Sequence, residues 1–76
     1  MKEFRVRLRS FDDVRRFVEI TSAQSFHIHA VEDSMVTNAK SLIGFFSLDL
    51  SKPVTIRVED DADTAAFLAA IAPFLA

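Results

Sequence analysis

A chain of 76 residues without cysteine has room for one domain, and it excludes a disulfide framework, a thiolate zinc site and a cysteine nucleophile. Apolar residues make up 50% of the chain and eight residues are Phe, enough for a core, while the net charge of −2 argues against a dedicated nucleic-acid binder. The first residues contain no apolar run that could form a signal peptide, and the longest apolar run, over residues 65–76, is too short to span a membrane, so we expect a soluble, cytoplasmic protein.

The first predicted elements are a strand and a helix. Residues 4–8 alternate apolar side chains with arginines, which predicts a half-buried strand with a basic outer face. Ser10 can cap the helix that follows. Asp13 occupies the third helical position, which makes an Asp version of the capping box. The apolar spacing predicts a helix that ends near Ser22 and includes Phe11 in its apolar stripe.

The middle of the chain predicts a hairpin and a short helix. Residues 26–30 alternate apolar residues with two histidines, and residues 35–37 form a second short strand after a turn at 32–34. Ser41 is then expected to start a short helix that ends near Ser47.

The last third predicts a strand and a helix. Residues 54–58 alternate apolar and polar side chains and follow a loop over 48–53. Asp60 or Asp61 is expected to cap the final helix. Pro73 lacks a backbone donor, so the helix should end or kink one residue before it and leave the last residues as a frayed tail.

These elements predict an α+β fold with the order βαββαβα. Each strand has one apolar face and each helix has one apolar stripe. The simplest arrangement is an open-faced β-sandwich, with a four-stranded, mostly antiparallel sheet and three helices on one face. Repeats, low complexity and linkers are absent from the sequence, so we expect a single domain over residues 1–76.

Residues 39–48 carry a resemblance to a known family. Their sequence, Ala-Lys-Ser-Leu-Ile-Gly-Phe-Phe-Ser-Leu, holds the only glycine of the chain. It resembles the second-helix region of the HPr family, the phosphocarrier proteins of the bacterial sugar phosphotransferase system (PTS). The resemblance implies the HPr-like open-faced β-sandwich and a regulatory phosphorylation site at Ser41. It also implies protein partners: phosphotransferase-type enzymes, an HPr kinase or a transcriptional regulator.

The catalytic position of the family is not retained. In HPr a histidine at the start of the first helix carries the phosphate, and an arginine follows two residues later. Alignment of the Phe17–Val18 pair with the family places Ser10 at the histidine and Asp12 at the arginine. Phosphohistidine chemistry needs an imidazole nucleophile and a cation near the phosphoryl oxygens. The chain therefore resembles the catabolite-repression paralogue of HPr, a regulatory protein and not an enzyme. The alternative is a phosphocarrier that uses a non-standard residue.

Ser41 and the apolar residues after it have two interpretations. Ser41 can act as a helix cap, as a phosphorylation site, or as both. Adjacent apolar residues on a helix point about 100° apart, so one narrow stripe cannot bury all of Leu42, Ile43, Phe45 and Phe46. We expect Leu42, Ile43 and Phe46 to form a partner-binding surface, which could also support a homodimer. The alternative is that they are core residues.

The two histidines are the remaining candidates for chemistry. His27 and His29 alternate on the second strand and would share one face, with Glu59 as a third metal ligand. The alternative is that both lie on the solvent face of the sheet. That face is expected to be rich in arginine but without exposed aromatics for base stacking, which argues against RNA. We therefore predict no metal, no cofactor, and neither nucleic acid nor membrane as partner.

Overall fold

The computed structural model describes residues 2–76, which form four strands and three helices. Met1, part of the predicted domain, lies outside the described residues. The elements are β1 (Lys2–Val6), α1 (Phe11–Ser22), β2 (Ile28–Glu32), β3 (Met35–Asn38), α2 (Leu42–Phe45), β4 (Val54–Val58) and α3 (Ala65–Ile71), with a 3₁₀ turn over Ala72–Phe74. The predicted α+β class and element order are confirmed.

The sheet has the strand order β1-β4-β2-β3, and all three pairings are antiparallel. One cross-strand row on the helix side is Phe4–Ile56–Ala30–Thr37, and one on the solvent side is Glu3–Arg57–His29–Asn38. Because the helices cover only one face, the other face stays open to water, as predicted.

Aromatic rings fill the space between the sheet and the helices. Phe17 of α1 is fully buried and makes edge-on ring contacts with Phe45 at 5.8 Å and with Phe74 at 5.7 Å. Thr21, on the same stripe of α1, is also fully buried, and its hydroxyl donates to the carbonyl of Ala39 at 2.7 Å. This bond ties the end of α1 to the segment just before α2.

Two strand boundaries differ from the predicted ones. β1 ends before Leu8 because the chain turns toward α1, where the N–H of Arg9 donates to the side chain of Asp13 at 3.0 Å. β2 starts two residues later than expected, at Ile28, because its register partner Val58 is the last residue of β4. Alternation of residue types therefore extends beyond the hydrogen-bonded ladder at both places.

The predicted cap of α3 is wrong. The helix begins after Thr64, whose own side chain makes no capping bond, and the carboxylate of Asp63 accepts from the N–H of Ala65 at 3.3 Å. Residues 59–62 instead form a turn, in which the N–H of Ala62 donates to the carbonyl of Glu59 at 3.2 Å. The carbonyl of Ala62 in turn accepts from the ammonium of Lys2 at 2.7 Å. These contacts hold the acidic segment against the start of β1, so its aspartates precede the helix by several residues.

The chain after Pro73 is not a frayed tail. The helix does end at Ile71, as expected from Pro73. The last residues then pair with the outer edge of β1: the N–H of Arg7 donates to Phe74 O at 2.7 Å, and the N–H of Ala76 donates to Arg5 O at 2.8 Å. The predicted frayed tail is wrong because the last residues bond to backbone N–H and C=O groups at β1 that point away from β4.

The β2–β3 turn contains Asp33, the one non-glycine residue with positive φ among residues 2–76, at 53°. We predict that Asp33→Gly is more stable than Asp33→Ala by about 0.5–1 kcal/mol, because Cβ disfavours this left-handed conformation. Both variants lose the contact of the carboxylate with Lys52, so the comparison isolates the backbone. Urea unfolding at neutral pH measures the difference, and equal stabilities would contradict the prediction.

Candidate functional site

The N-terminus of α1 holds Ser10, which the resemblance places at the position of the family's histidine. The hydroxyl of Ser10 accepts from the N–H of Asp13 at 3.1 Å, as the predicted cap requires. The carboxylate of Asp13 reaches back to the N–H of Arg9 at 3.0 Å. The start of α1 therefore carries two reciprocal caps. The hydroxyl of Ser10 satisfies the N–H of Asp13, and the carboxylate of Asp13 satisfies the N–H of Arg9.

Asp12 stands at the position that the resemblance assigns to an arginine. Its carboxylate pairs with Arg15 at 2.7 Å, and Arg15 also pairs with Glu19 at 2.6 Å. The hydrogen bond and charge of Asp12, followed by the charge of Glu19, raise the pKa of the Arg15 guanidinium. Arg16 lies over the ring of Phe74, 5.5 Å from its centroid. Arg15 is thus paired with carboxylates of its own helix, and Arg16 packs on the ring of Phe74.

Ser41 caps α2. Its hydroxyl accepts from the N–H of Gly44 at 3.0 Å, and Ser41 itself is partly exposed. Gly44 packs so closely on β3 that a Cβ atom there would collide with the hydroxyl oxygen of Thr37. The only glycine in the chain is therefore required by a close approach between α2 and the sheet.

The four apolar residues of this segment divide between core and surface. Phe45 is fully buried and Leu42 is half-buried against the core. Ile43 is 83% exposed and Phe46 is 52% exposed. Phe45 and Leu42 thus pack on the core, although Leu42 was expected on the surface, whereas Ile43 and Phe46 are exposed, because successive side chains of α2 point in different directions.

Phe11 completes this surface and was not expected there. Its ring is 61% exposed and stacks on the ring of Phe46, with centroids 5.6 Å apart and planes 13° apart. The periodicity placed Phe11 in the apolar stripe of α1, but this stripe is not buried at its first turn, where the ring of Phe11 stays exposed and contacts that of Phe46. We call Phe11, Ile43 and Phe46 the apolar patch.

A groove of about 340 Å³ adjoins the apolar patch. It is lined by Leu8, Arg9, Ser10, Phe11, Val14, Phe46, Leu50 and Ser51. The loop on its far side is ordered by Asp49, whose carboxylate accepts from the hydroxyl of Ser51 at 2.6 Å and from its N–H at 3.0 Å. These two bonds hold the pKa of Asp49 below its ordinary value.

The predicted site residues are therefore only partly brought together. Ser10 and Phe46 line the same groove. Ser41, Leu42 and Ile43 lie outside the groove lining, although Ile43 lies only one helical turn before Phe46. Sequence reasoning missed Leu8 and Leu50 as groove residues, because nothing in their local pattern distinguishes them from core residues.

The two histidines lie on or beside the open face of the sheet. His29 lies on the open face of the sheet, between Arg57 and Asn38 in the register, and His27 is exposed just before β2. Among residues 2–76 no three histidine, aspartate or glutamate side chains are grouped to hold a metal ion. The two-histidine pair is therefore a feature of the solvent face.

Comparisons with known proteins identify the class of fold. No protein-family model and no curated protein matches the chain. Among solved structures, it is similar to the crystal structure of HPr-C-His from Thermoanaerobacter tengcongensis. The two are 27% identical, with a TM-score of 0.79 over 97% of this chain and 91% of the other. The fold is thus an α+β open-faced sandwich of the HPr type.

The protein is accordingly an HPr-like domain. The resemblance predicted from residues 39–48 is confirmed at the level of the fold. Within residues 2–76, no helix combines the length and the apolar composition that crossing a membrane would take.

Proposed function

We propose that this chain is a regulatory HPr-like module of a bacterial PTS, which acts in the cytoplasm by binding proteins rather than by carrying phosphate on histidine. The observation that carries the proposal is the apolar patch. An aromatic ring pair stacked in water, with Ile43 one helical turn away, costs free energy in the free protein. A partner that covers the patch would recover that cost.

The start of α1 supports a role without phosphohistidine. The only histidines are His27 and His29, and both lie at or near β2. At the family's histidine position, the Ser10 hydroxyl serves as a helix cap and Asp12 and Asp13 supply negative charge. A phosphoryl donor would meet like charge there and no imidazole. This combination resembles the catabolite-repression paralogue of HPr.

Ser41 is the proposed switch of this module. It precedes Leu42 and Ile43, so a phosphate on its hydroxyl would place a charge of about −2 beside the apolar patch. That charge would weaken partners that bind an apolar surface and favour partners that present arginines. Phosphotransferase-type enzymes, an HPr kinase and a transcriptional regulator are the proposed partners, with Leu42, Ile43 and Phe46 as contact residues.

Incubation with purified enzyme I and phosphoenolpyruvate tests the lack of carrier activity. We expect no gain of phosphate by intact mass, with an authentic HPr as the positive control. Phosphate that is labile in acid and stable in base, mapped to His27 or His29, would overturn the proposal. It would support the alternative, a phosphocarrier with a non-standard residue.

Incubation with an HPr kinase and ATP tests the switch and the patch together. We predict one phosphate, which is lost in Ser41→Ala and retained in Ser47→Ala. Phe46→Glu should lower the initial rate about tenfold or more, as a loss of about 1.4 kcal/mol of docking free energy would. Ala66→Glu adds the same charge at an exposed position of α3 and should change nothing.

Two outcomes of the kinase experiment would contradict the proposal. No phosphorylation of the wild type would remove the switch. Equal rates for Phe46→Glu and Ala66→Glu would remove the apolar patch as the docking surface. Melting temperatures of the variants separate a docking defect from a folding defect.

A further inference from the structure

The sheet has one covered edge and one uncovered edge. Residues 74–76 pair with the outer side of β1. At the other end of the sheet, no segment within residues 2–76 pairs with the outer side of β3. Natural proteins usually protect such an edge with charged residues or proline, and β3 contains neither.

Hydrogen-bond alternation shows which groups of β3 face outward. The N–H of Ala39 donates to Ile28 O at 2.9 Å, so this pair belongs to the bonded set of the β2–β3 ladder. Bonded pairs recur every second residue, and the residues between them, Val36 and Asn38, turn their backbone groups away from β2. The carbonyl of Asn38 accepts from Ser41. The groups that remain on the edge are both backbone groups of Val36 and the N–H of Asn38.

We propose that two copies of this chain pair through β3, antiparallel, with Val36 opposite Val36 of the second copy across a two-fold axis. Only outward-facing residues can exchange hydrogen bonds across the new edge, and Val36 provides both a donor and an acceptor. The same register places Ser34 opposite Asn38 of the second copy. The result is one continuous sheet with the open faces of both copies on the same side.

The side chains at this edge suit a second copy. Val36 is 58% exposed and lies beside Val31 on the open face. Pairing would extend these two into a row of four valines across the axis, and β-branched cross-strand neighbours stabilise sheets. On the opposite side, Met35, which is 46% exposed, would face Thr37 of the second copy.

The charges at the two ends of β3 are complementary when the strands are antiparallel. The turn end carries the carboxylates of Glu32, Asp33 and Asp49 against the single ammonium of Lys52. The other end carries Lys40, whose ammonium has a carbonyl rather than a carboxylate as its partner. Antiparallel pairing therefore brings the acidic end of each copy to the lysine of the other, whereas parallel pairing would bring like charges together.

The covered edge limits this assembly to two copies. An interface related by a two-fold axis uses the same strand of both copies, so pairing through β3 consumes both free edges. The bonds of residues 74–76 to Arg5 and Arg7 occupy the β1 edge. A strand of four residues forms a contact smaller than the standard stable interface, so the dimer should be weak and concentration-dependent.

Sedimentation velocity from about 10 μM to about 1 mM tests the dimer, a range suited to weak dissociation constants. We expect the wild type to dimerise reversibly. Val36→Lys, which sets two like charges on the axis, should weaken the dimer at least tenfold. Ala70→Lys, at an exposed position of α3, should leave it unchanged. A wild type that stays monomeric, or a dimer weakened by Phe46→Lys but not by Val36→Lys, would overturn the proposal.

Amide hydrogen exchange locates the contact by a second measurement. The N–H of Val36 faces outward, and the N–H of Thr37 is bonded within the ladder. Raising the concentration should slow exchange at Val36 and leave Thr37 unchanged. A dimer in which the Val36 amide stays unprotected would place the contact elsewhere. Neither measurement depends on kinase or enzyme I activity. The dimer can therefore be refuted without refuting the proposed function, and the reverse also holds.

Discussion

Phe17→Ala is expected to lower the free energy of unfolding by about 3–5 kcal/mol, because it removes a fully buried ring and leaves a cavity. The lost ring contacts both Phe45 and Phe74, so the substitution loosens α1 from α2 and from the C-terminal turn together. Domains typically have only about 5–15 kcal/mol of total stability, so this one change removes a large share. Urea unfolding followed by circular dichroism measures it.

Phe11→Ala on the same helix is the matched control. Its ring is 61% exposed, so we expect a loss below about 1 kcal/mol. If Phe17→Ala does not fold, Phe17→Leu keeps the comparison measurable, with an expected loss of about 1–2 kcal/mol. Similar losses for Phe11→Ala and Phe17→Ala would contradict the division of α1 into a buried ring and a surface ring.

Gly44→Ala is expected to destabilise the protein by about 1–3 kcal/mol, which reverses the usual effect of this substitution in a helix. The added Cβ would collide with the hydroxyl oxygen of Thr37 and press on the side chain of Ser41. To fit, α2 would have to move away from β3. Chemical unfolding at neutral pH measures the loss.

A double-mutant cycle identifies the cause. Thr37→Ala removes the colliding oxygen, so Thr37→Ala/Gly44→Ala should be more stable than Gly44→Ala alone. The helix propensity of alanine, about 1 kcal/mol better than that of glycine, should then contribute. Strictly additive effects would show that Thr37 is not the obstacle.

The parts of the fold with local causes were predictable from the sequence. Ser10 and Asp13 mark the start of α1, and the alternation over residues 54–58 marks β4. Side-chain period and capping chemistry depend only on near neighbours along the chain. The same holds for Ser41, whose capping role follows from its place before an apolar turn.

The parts with distant causes were not predictable. The bonds of residues 74–76 to β1 depend on where α3 ends in space, and Pro73 alone suggested fraying. The exposure of Phe11 depends on which element lies beneath the first turn of α1. Its stacking on Phe46 joins residues from two helices that no local pattern connects. The place of Phe11 in the apolar patch and the adjoining groove therefore required the structure, whereas Ile43 and Phe46 were expected at the surface.

The order of strands also bears on how the chain folds during synthesis. β1 pairs with β4 and with the last residues of the chain. Its partners are therefore distant in sequence, as when Lys2 lies opposite Val58. The β2–β3 hairpin can close early, but the N-terminal strand must wait until most of the chain has left the ribosome. Non-local pairing of this kind slows folding, because the entropy of closing a long loop is lost first. During that interval the apolar side of the first strand is exposed to water and to other nascent chains.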